Sequence, residues 1–375
     1  MSVEIKEVTT KHELNKFIQF NLDLYKDNKF VAPPLIEDEL VTLDRKKNPA
    51  FDFCESAYFL AYRNGKIVGR IAAIINHSAN EFNKIKHGRF GWVDFIDDKK
   101  VSTALFKTAE EWIKSKGMDA IVGPFGLTDM DYEGLLIEGF DKLSTMATIY
   151  NYPYYIKHIE DLGYCKEVDW KEYLINVPEV LPDKFLRIAN LIKEKYHLNV
   201  KVFKNKKELV SKYAQKIFDL WNICYADLYG TSPLTQKQIE HYTKLYLGFI
   251  GLDTLSIVTD DKDDVMAFGI SIPSLTKALQ KAKGHLFPFG FIHLLTALKK
   301  NDTVDFLIIG VHPEYQSKGV TSLIFADMFT KYSKNGIKYA ESNPELEENI
   351  KISSQWGPFE RVNHKRRRAY IKHLN

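Results

Sequence analysis

Hydrophobic positions along the chain switch repeatedly between helical and strand periods. Apolar residues recur on one helical face at Leu14, Phe17, Ile18, Leu22 and Tyr25, behind Thr10 and Glu13, which are spaced as a capping box. A strand is predicted before them at 3–8 and a short helix after them at 36–43. Residues 57–62 and 67–75 read as two strands around Arg63-Asn64-Gly65-Lys66, because Asn-Gly between apolar runs favours a hairpin turn. Strands follow at 89–95, 120–122 and 172–177, with helices at 102–116 and 154–162 stopped by Gly117 and Gly163. Residues 177–182 carry two prolines and interrupt any regular element.

Beyond that break the order begins again. Helices are predicted at 185–196 and 208–225, and strands at 200–203, 254–259 and 265–272. A helical stretch at 275–300 is broken by Pro288. A strand at 306–311, a helix from Val320, a strand at 338–342, a helix at 345–355 and a strand at 369–374 complete the chain. The recurrence holds in register. Phe106 aligns with Phe325 and Gly117 with Gly336 at one offset, 219 residues (325 − 106 and 336 − 117), which also pairs Val101 with Val320 and Leu105 with Ile324. Gly69 and Gly269 occupy the second strand of the matching hairpins. Two copies of one α/β fold are expected, over 1–177 and 183–375.

Candidate chemistry concentrates where the strand at 306–311 meets the next helix. His312-Pro313 ends the strand, and Glu314-Tyr315-Gln316-Ser317-Lys318-Gly319 leads into the helix. A helix start offers bare backbone amides and the positive end of a dipole, a setting suited to phosphate. Gly319 lets the backbone approach a ligand. The first copy has Asp97-Asp98-Lys99-Lys100 at the matching place, where carboxylates would repel a phosphate.

The spacing P-x-x-Q-x-x-G-V resembles the acyl-CoA loop of the GNAT acetyltransferase superfamily, with Gln316 and Gly319 on the pattern and Thr321 where Gly or Ala is usual. The resemblance implies two GNAT-like domains, each a mixed and mostly antiparallel sheet flanked by helices. It implies CoA binding by the second copy alone, through Ile309, Val311, Gln316, Ser317, Lys318, Gly319, Val320 and Thr321. The activity it implies is N-acyl transfer from acetyl-CoA, or another acyl-CoA, to a small-molecule amine. Glu341 is the first candidate base and Asp305 the second, with Asn343 at the position of a family asparagine. The stretch from Asn349 resembles the helix that carries the family's proton-donating tyrosine, but Trp356 stands at that place; Tyr339 is a replacement candidate. Trp356 and Thr321 keep open a non-catalytic acyl-CoA-binding protein, and a tRNA-linked aminoacyl transferase is a further alternative.

Composition narrows the setting. Of 375 residues 45% are hydrophobic and 27% charged, as in a globular protein. A net charge of +3 does not argue for nucleic acid, which is not an expected partner. Cys54, Cys165 and Cys224 lack the spacing of a disulfide framework or a metal site, so no metal is expected. No stretch reaches the ~20 apolar residues that span a bilayer, and a cytoplasmic protein without a membrane partner is expected. Three motifs stay open. The basic run His364–Arg368 could meet the CoA 3′-phosphate, an acidic acceptor or RNA, or be a solvated strand end. The aromatic insertion 285–291 could line an acceptor or acyl channel, or be core. Tyr150, Tyr152, Tyr154 and Tyr155 could serve a ligand, or pack.

Overall fold

The computed structural model describes residues 2–226, 228–247, 250–349 and 353–374. Contacts divide the chain into two compact units that are not consecutive halves. Unit 1 is Met1–Lys171 with Leu275–Thr296 and His364–Asn375; unit 2 is Glu172–Ser274 with Ala297–Asn363. The chain passes between the units at 171/172, 274/275, 296/297 and 363/364, and the proline-bearing stretch 177–182 lies inside unit 2.

The first half of the chain runs β1 (Glu4–Glu7), α1 (Lys11–Tyr25), α2 (Ile36–Thr42), β2 (Cys54–Arg63), β3 (Lys66–Asn76), α3 (His77–Asn83), β4 (His87–Phe95), α4 (Lys99–Ser115), β5 (Ala120–Gly123), β6 (Leu135–Glu138), α5 (Tyr154–Asp161) and β7 (Cys165–Asn176). The second runs α6 (Asp183–Lys195), β8 (Asn199–Val200), α7 (Lys206–Tyr225), α8 (Gln236–Tyr242), β9 (Leu255–Thr259), β10 (Val265–Pro273), α9 (Thr276–Ala282), α10 (Gly290–Lys299), β11 (Thr303–Val311), α11 (Thr321–Lys334), β12 (Tyr339–Glu341), β13 (Glu345–Leu346) and β14 (Arg361–His373). The capping box is present: the Thr10 side chain accepts from the Glu13 amide while the Glu13 carboxylate reaches back. Such a cap contributes about 1 kcal/mol.

In unit 1, β1 to β4 form an antiparallel meander, and β4 pairs with β5 in parallel. The end of β14 then pairs antiparallel with β5. In unit 2, β8 to β11 are antiparallel, β11 pairs in parallel with β12, and the end of β7 pairs antiparallel with β12. Each half of the chain therefore gives the end of its closing strand to the unit built by the other half. Within each unit the strand pairing is mixed and mostly antiparallel, and the strands are flanked by helices.

The repeat seen in sequence is matched in packing. A Cβ on Gly69 would meet the Leu105 Cδ1 at 2.7 Å, and one on Gly269 would meet the Ile324 Cγ2 at 2.6 Å. Leu105 and Ile324 are the aligned pair, so each glycine lets its long helix (α4, α11) lie close on the second hairpin strand. Gly117 and Gly336, both at left-handed φ (+79° and +74°), end those helices. The unit 2 core gathers Phe306, Phe325, Phe329, Trp356 and Phe359 between α11, α6 and the sheet.

Several expectations need correction. Of the predicted helix at 345–355, residues 353–354 are helical, but its start is the short strand β13 followed by a turn at 347–348; residues 350–352 lie outside the described residues. The closing strand begins at Arg361, earlier than 369, because its basic residues are taken inward and do not mark a loop. β6, α3 and α8 have no counterpart in the periodicity.

Candidate active site

The site begins where two parallel strands part. β11 and β12 pair only over Thr303↔Tyr339, Val304↔Ala340 and Asp305↔Glu341. β11 runs on to Val311, whereas the next residues of the other strand turn away. The cause is local. The Ser342 amide donates to the Tyr173 carbonyl (2.8 Å), its hydroxyl accepts from the Tyr173 amide (2.9 Å), and Pro344 has no amide to give. Asn343 reaches back across the opening, its Nδ2 donating to the Leu307 carbonyl at 3.1 Å.

One edge of β11 is thereby left without a strand partner from Leu307 onward. Within a strand a residue's N–H and C=O point to the same edge. The carbonyls at 307, 309 and 311 accept from side chains: Asn343, the Tyr225 hydroxyl (3.1 Å), and both Cys224 Sγ (3.1 Å) and Gln316 Nε2 (3.2 Å). The amides of Leu307, Ile309 and Val311 therefore face the opening. Tyr225 and Cys224 come from α7, where the only signal in the sequence is an aromatic at the end of a long helix. Burial holds the Tyr225 phenol protonated, well above its ordinary range, and lifts the Cys224 thiol to about 11.

The loop that follows presents its backbone. The amides of His312, Tyr315, Gln316 and Lys318 are bonded to carbonyls of Met266, His312, Pro313 and Tyr315. Those of Ser317, Gly319, Val320 and Thr321, at the start of α11, have no backbone partner among the described residues. Ser317 (φ +59°) and Gly319 (φ +78°) are left-handed, between an extended Gln316 and a right-handed Val320, and this alternating sign of φ turns successive amides toward a concave nest for an anion. Glycine is required at 319: besides its φ, a Cβ there would stand 2.7 Å from Ile192 Cδ1. The Lys318 ammonium lies over the rings of Tyr196 (5.4 Å) and Tyr315 (5.6 Å), which places positive charge beside the nest.

Asp305 and Glu341 sit side by side at the last paired register, 2% and 7% exposed. A third carboxyl, Glu345, is marked by the sequence only as a helix start. It accepts the Trp356 indole N–H at 2.6 Å, and burial lifts it to about 7, against the lowering effect of that bond. Trp356 itself is 1% exposed and packs on Phe306 and Phe325 in the core. Tyr339 is 40% exposed and pairs with Thr303, at the closed end of the strand pair. The Asn349 amide closes a turn onto Leu346.

Unit 1 has the same parting strands, filled by its own chain. β4 and β5 pair at His87, Gly88 and Arg89, after which Phe125 donates to the Phe90 carbonyl at 2.8 Å. The fit is backbone on backbone: a Cβ on Gly91 would lie 2.1 Å from the Phe125 carbonyl oxygen. The start of α4 is occupied as well. The Asp98 carboxylate accepts from the Lys100 amide and from Arg63, each at 2.9 Å, and with Arg63 first among the causes is held down at about 2.

The three open motifs resolve differently. In the basic run Lys365 and Arg367 are buried, donating to the Leu143 and Ile149 carbonyls, while Arg366 and Arg368 both bind Asp169. The run braces unit 1. The tyrosine cluster packs around Tyr25 and Phe95 as core. The aromatic insertion is neither core nor covered: Phe287 and Phe289 are 74% and 67% exposed. Among the described residues no group of His, Cys, Asp and Glu is placed to hold a metal ion, and no helix is long and apolar enough to cross a membrane.

This architecture is the tandem GNAT fold. The tandem GNAT protein of the clavulanic acid biosynthesis pathway superposes with a TM-score of 0.58 at 10% identity, over 100% of this chain and 99% of that one. A GCN5-related N-acetyltransferase from Anabaena variabilis gives 0.53 at 9% identity, over 100% of this chain and 73% of that one. Among curated proteins the chain is similar to Protein YghO of Escherichia coli, 28% identical over 376 aligned residues, 99% of this chain and 95% of that protein. It is also 29% identical over 295 residues to the bacterial ceramide synthase of Caulobacter vibrioides, 78% of this chain and 75% of that protein. No protein-family model matches.

Proposed function

We propose that the protein is an acyl-CoA-dependent N-acyltransferase working from unit 2. The observation that carries the reading is the nest of amides at Ser317, Gly319, Val320 and Thr321, opening beside the unpaired edge of β11. The nest takes the CoA pyrophosphate, with Lys318 adding charge. The pantetheine takes the place of a strand along Leu307, Ile309 and Val311. There the Ile309 or Val311 amide polarises the thioester carbonyl. The amine nitrogen attacks the carbonyl carbon, the C–N bond forms as the C–S bond breaks, and the amine proton passes to a carboxylate. Glu341 or, through water, Asp305 takes that proton, a reading supported by their position at the last paired register before the strands part; Glu345, lifted by burial to about 7, is suited to the same task. The leaving thiolate takes its proton from water, with the Tyr225 phenol at the edge of the opening as a hydrogen-bond donor to it. In unit 1 Phe125 and Asp98 fill the equivalent spaces, which favours one working site.

The transfer of a long acyl chain to a long-chain amine is favoured over acetylation of a small amine by the ceramide synthase relative, since a ceramide is an N-acylated long-chain amine. Thiol release is the test, with acetyl-CoA and palmitoyl-CoA each offered to small amines and to sphinganine. Release with any amine establishes the transferase. CoA-induced thermal stabilisation without release leaves a binding protein, and neither effect ends the proposal. A role with tRNA finds no support, because the basic run is turned inward.

A further inference from the structure

Among the described residues, five exposed apolar side chains are grouped between α9 and the end of α10. Phe287, Phe289, Phe291, Ile292 and Leu295 are 74%, 67%, 38%, 47% and 51% exposed. They form one surface. On α10 the exposed positions are Phe291, Ile292, Leu295, Thr296 and Lys299, which share one helical face at a 3.6-residue period. The preceding turn is held against that helix: the Phe291 amide bonds the Leu286 carbonyl at 2.8 Å, and a Cβ on Gly290 would lie 1.9 Å from the His285 oxygen. The Phe287 and Phe291 rings stand 5.8 Å apart. This is a rigid apolar projection, where an ordinary surface helix would show charge.

The segment's own charge is one-sided, although α2, whose Ile36 amide bonds the Gly284 carbonyl at 3.0 Å, brings the exposed Glu37 and Asp38 to its edge. Between Asp264 and Asp302 the sequence has no acidic residue, while Lys277, Lys281, Lys283, Lys299 and Lys300 are all exposed. The whole chain carries +3, so everything outside these five lysines sums to −2 (3 − 5). Aromatic and leucine side chains on one helical face with flanking lysines are the make-up of a segment that lies in a bilayer interface, rings below the headgroups and ammonium groups among the phosphates. A second copy of the chain is the weaker occupant, because a self-facing patch would bring these lysines against their own equivalents.

We propose that residues 281–299 are a seat for an anionic lipid bilayer, holding the protein on the membrane surface. The seat needs no spanning helix, and it does not depend on the acyltransferase reading. The test is co-sedimentation of the full chain with phosphatidylcholine vesicles, with and without phosphatidylglycerol. Binding is expected with the anionic vesicles and is expected to weaken with salt. Phe287→Ser with Phe289→Ser should lower the partition coefficient roughly 100-fold, about tenfold per ring removed from the interface. Circular dichroism and melting temperature should be unchanged, since both rings are outside the core. Lys281→Gln with Lys283→Gln should weaken binding to anionic vesicles only. Failure to sediment with either vesicle overturns the proposal, as does full binding by the double phenylalanine variant. A concentration-dependent dimer abolished by that variant, without vesicle binding, gives the face to a second copy and also overturns it.

Discussion

Two glycines at the ends of α11 allow the proposed diphosphate site to be tested against an internal control. Gly319 precedes the helix at φ +78° and Gly336 follows it at φ +74°. A Cβ at either position meets the left-handed penalty of about 1–2 kcal/mol. Around Gly336 nothing lies within 4 Å, so Gly336→Ala should cost that amount alone. At Gly319 the new methyl also meets Ile192 at 2.7 Å, though at the far end of a side chain that can move. The two variants should therefore lose similar stability, a fall of about 2–4 °C per kcal/mol in melting temperature. Their CoA affinities should separate. Relaxing φ at 319 rotates the amides of Gly319 and Val320 out of the nest, and a hydrogen bond to a charged group contributes about 1.5–3 kcal/mol. Gly319→Ala should then weaken CoA binding roughly 10- to 100-fold, with Gly336→Ala unchanged. Isothermal titration of CoA into both folded variants measures this. Equal dissociation constants for the two would refute the diphosphate site.

Further outcomes follow from other parts of the molecule. Glu345→Gln should remove a rise in kcat/KM with pH centred near 7, because the base must be deprotonated to act; Glu341→Gln should lower kcat about 10²–10⁴-fold at every pH. An unchanged profile in Glu345→Gln would leave Glu341 as the sole base. Gly91→Ala drives a methyl onto the Phe125 backbone and should destabilise by about 3 kcal/mol or more, while CoA affinity of the folded protein stays the same. A loss of CoA binding there would place a site in unit 1. Burial lifts Glu39 from 4.5 to about 7, so its folded state binds a proton that the unfolded state has lost. Its contribution is thus full below pH 4.5, falls as pH rises to about 7 and is flat above, up to about 3 kcal/mol in all. Glu39→Gln, which can still accept from Trp92, should gain on the wild type between pH 5 and pH 8 in urea melts; an identical difference at both pH values would contradict this.

The sequence alone determined the elements whose cause is local: the capping box at Thr10 and Glu13, the Asn64-Gly65 hairpin, the glycine ends of α4 and α11, the 219-residue repeat, and the loop from Gln316 to Gly319. Each depends on a few neighbouring residues or on a period, and both survive in a linear string. Tertiary structure decided the rest. The exchange of closing strands is a pairing choice between distant segments that no local propensity encodes. The inward turn of Lys365 and Arg367 depends on carbonyls more than 200 positions away. Tyr225, Cys224 and Glu345 acquire their places at the opening of β11 only when α7 and the chain after β12 fold against that edge. The phenylalanines of the insertion read equally as core or surface, because hydrophobicity states what a side chain avoids; only the folded chain shows that nothing among the described residues covers them.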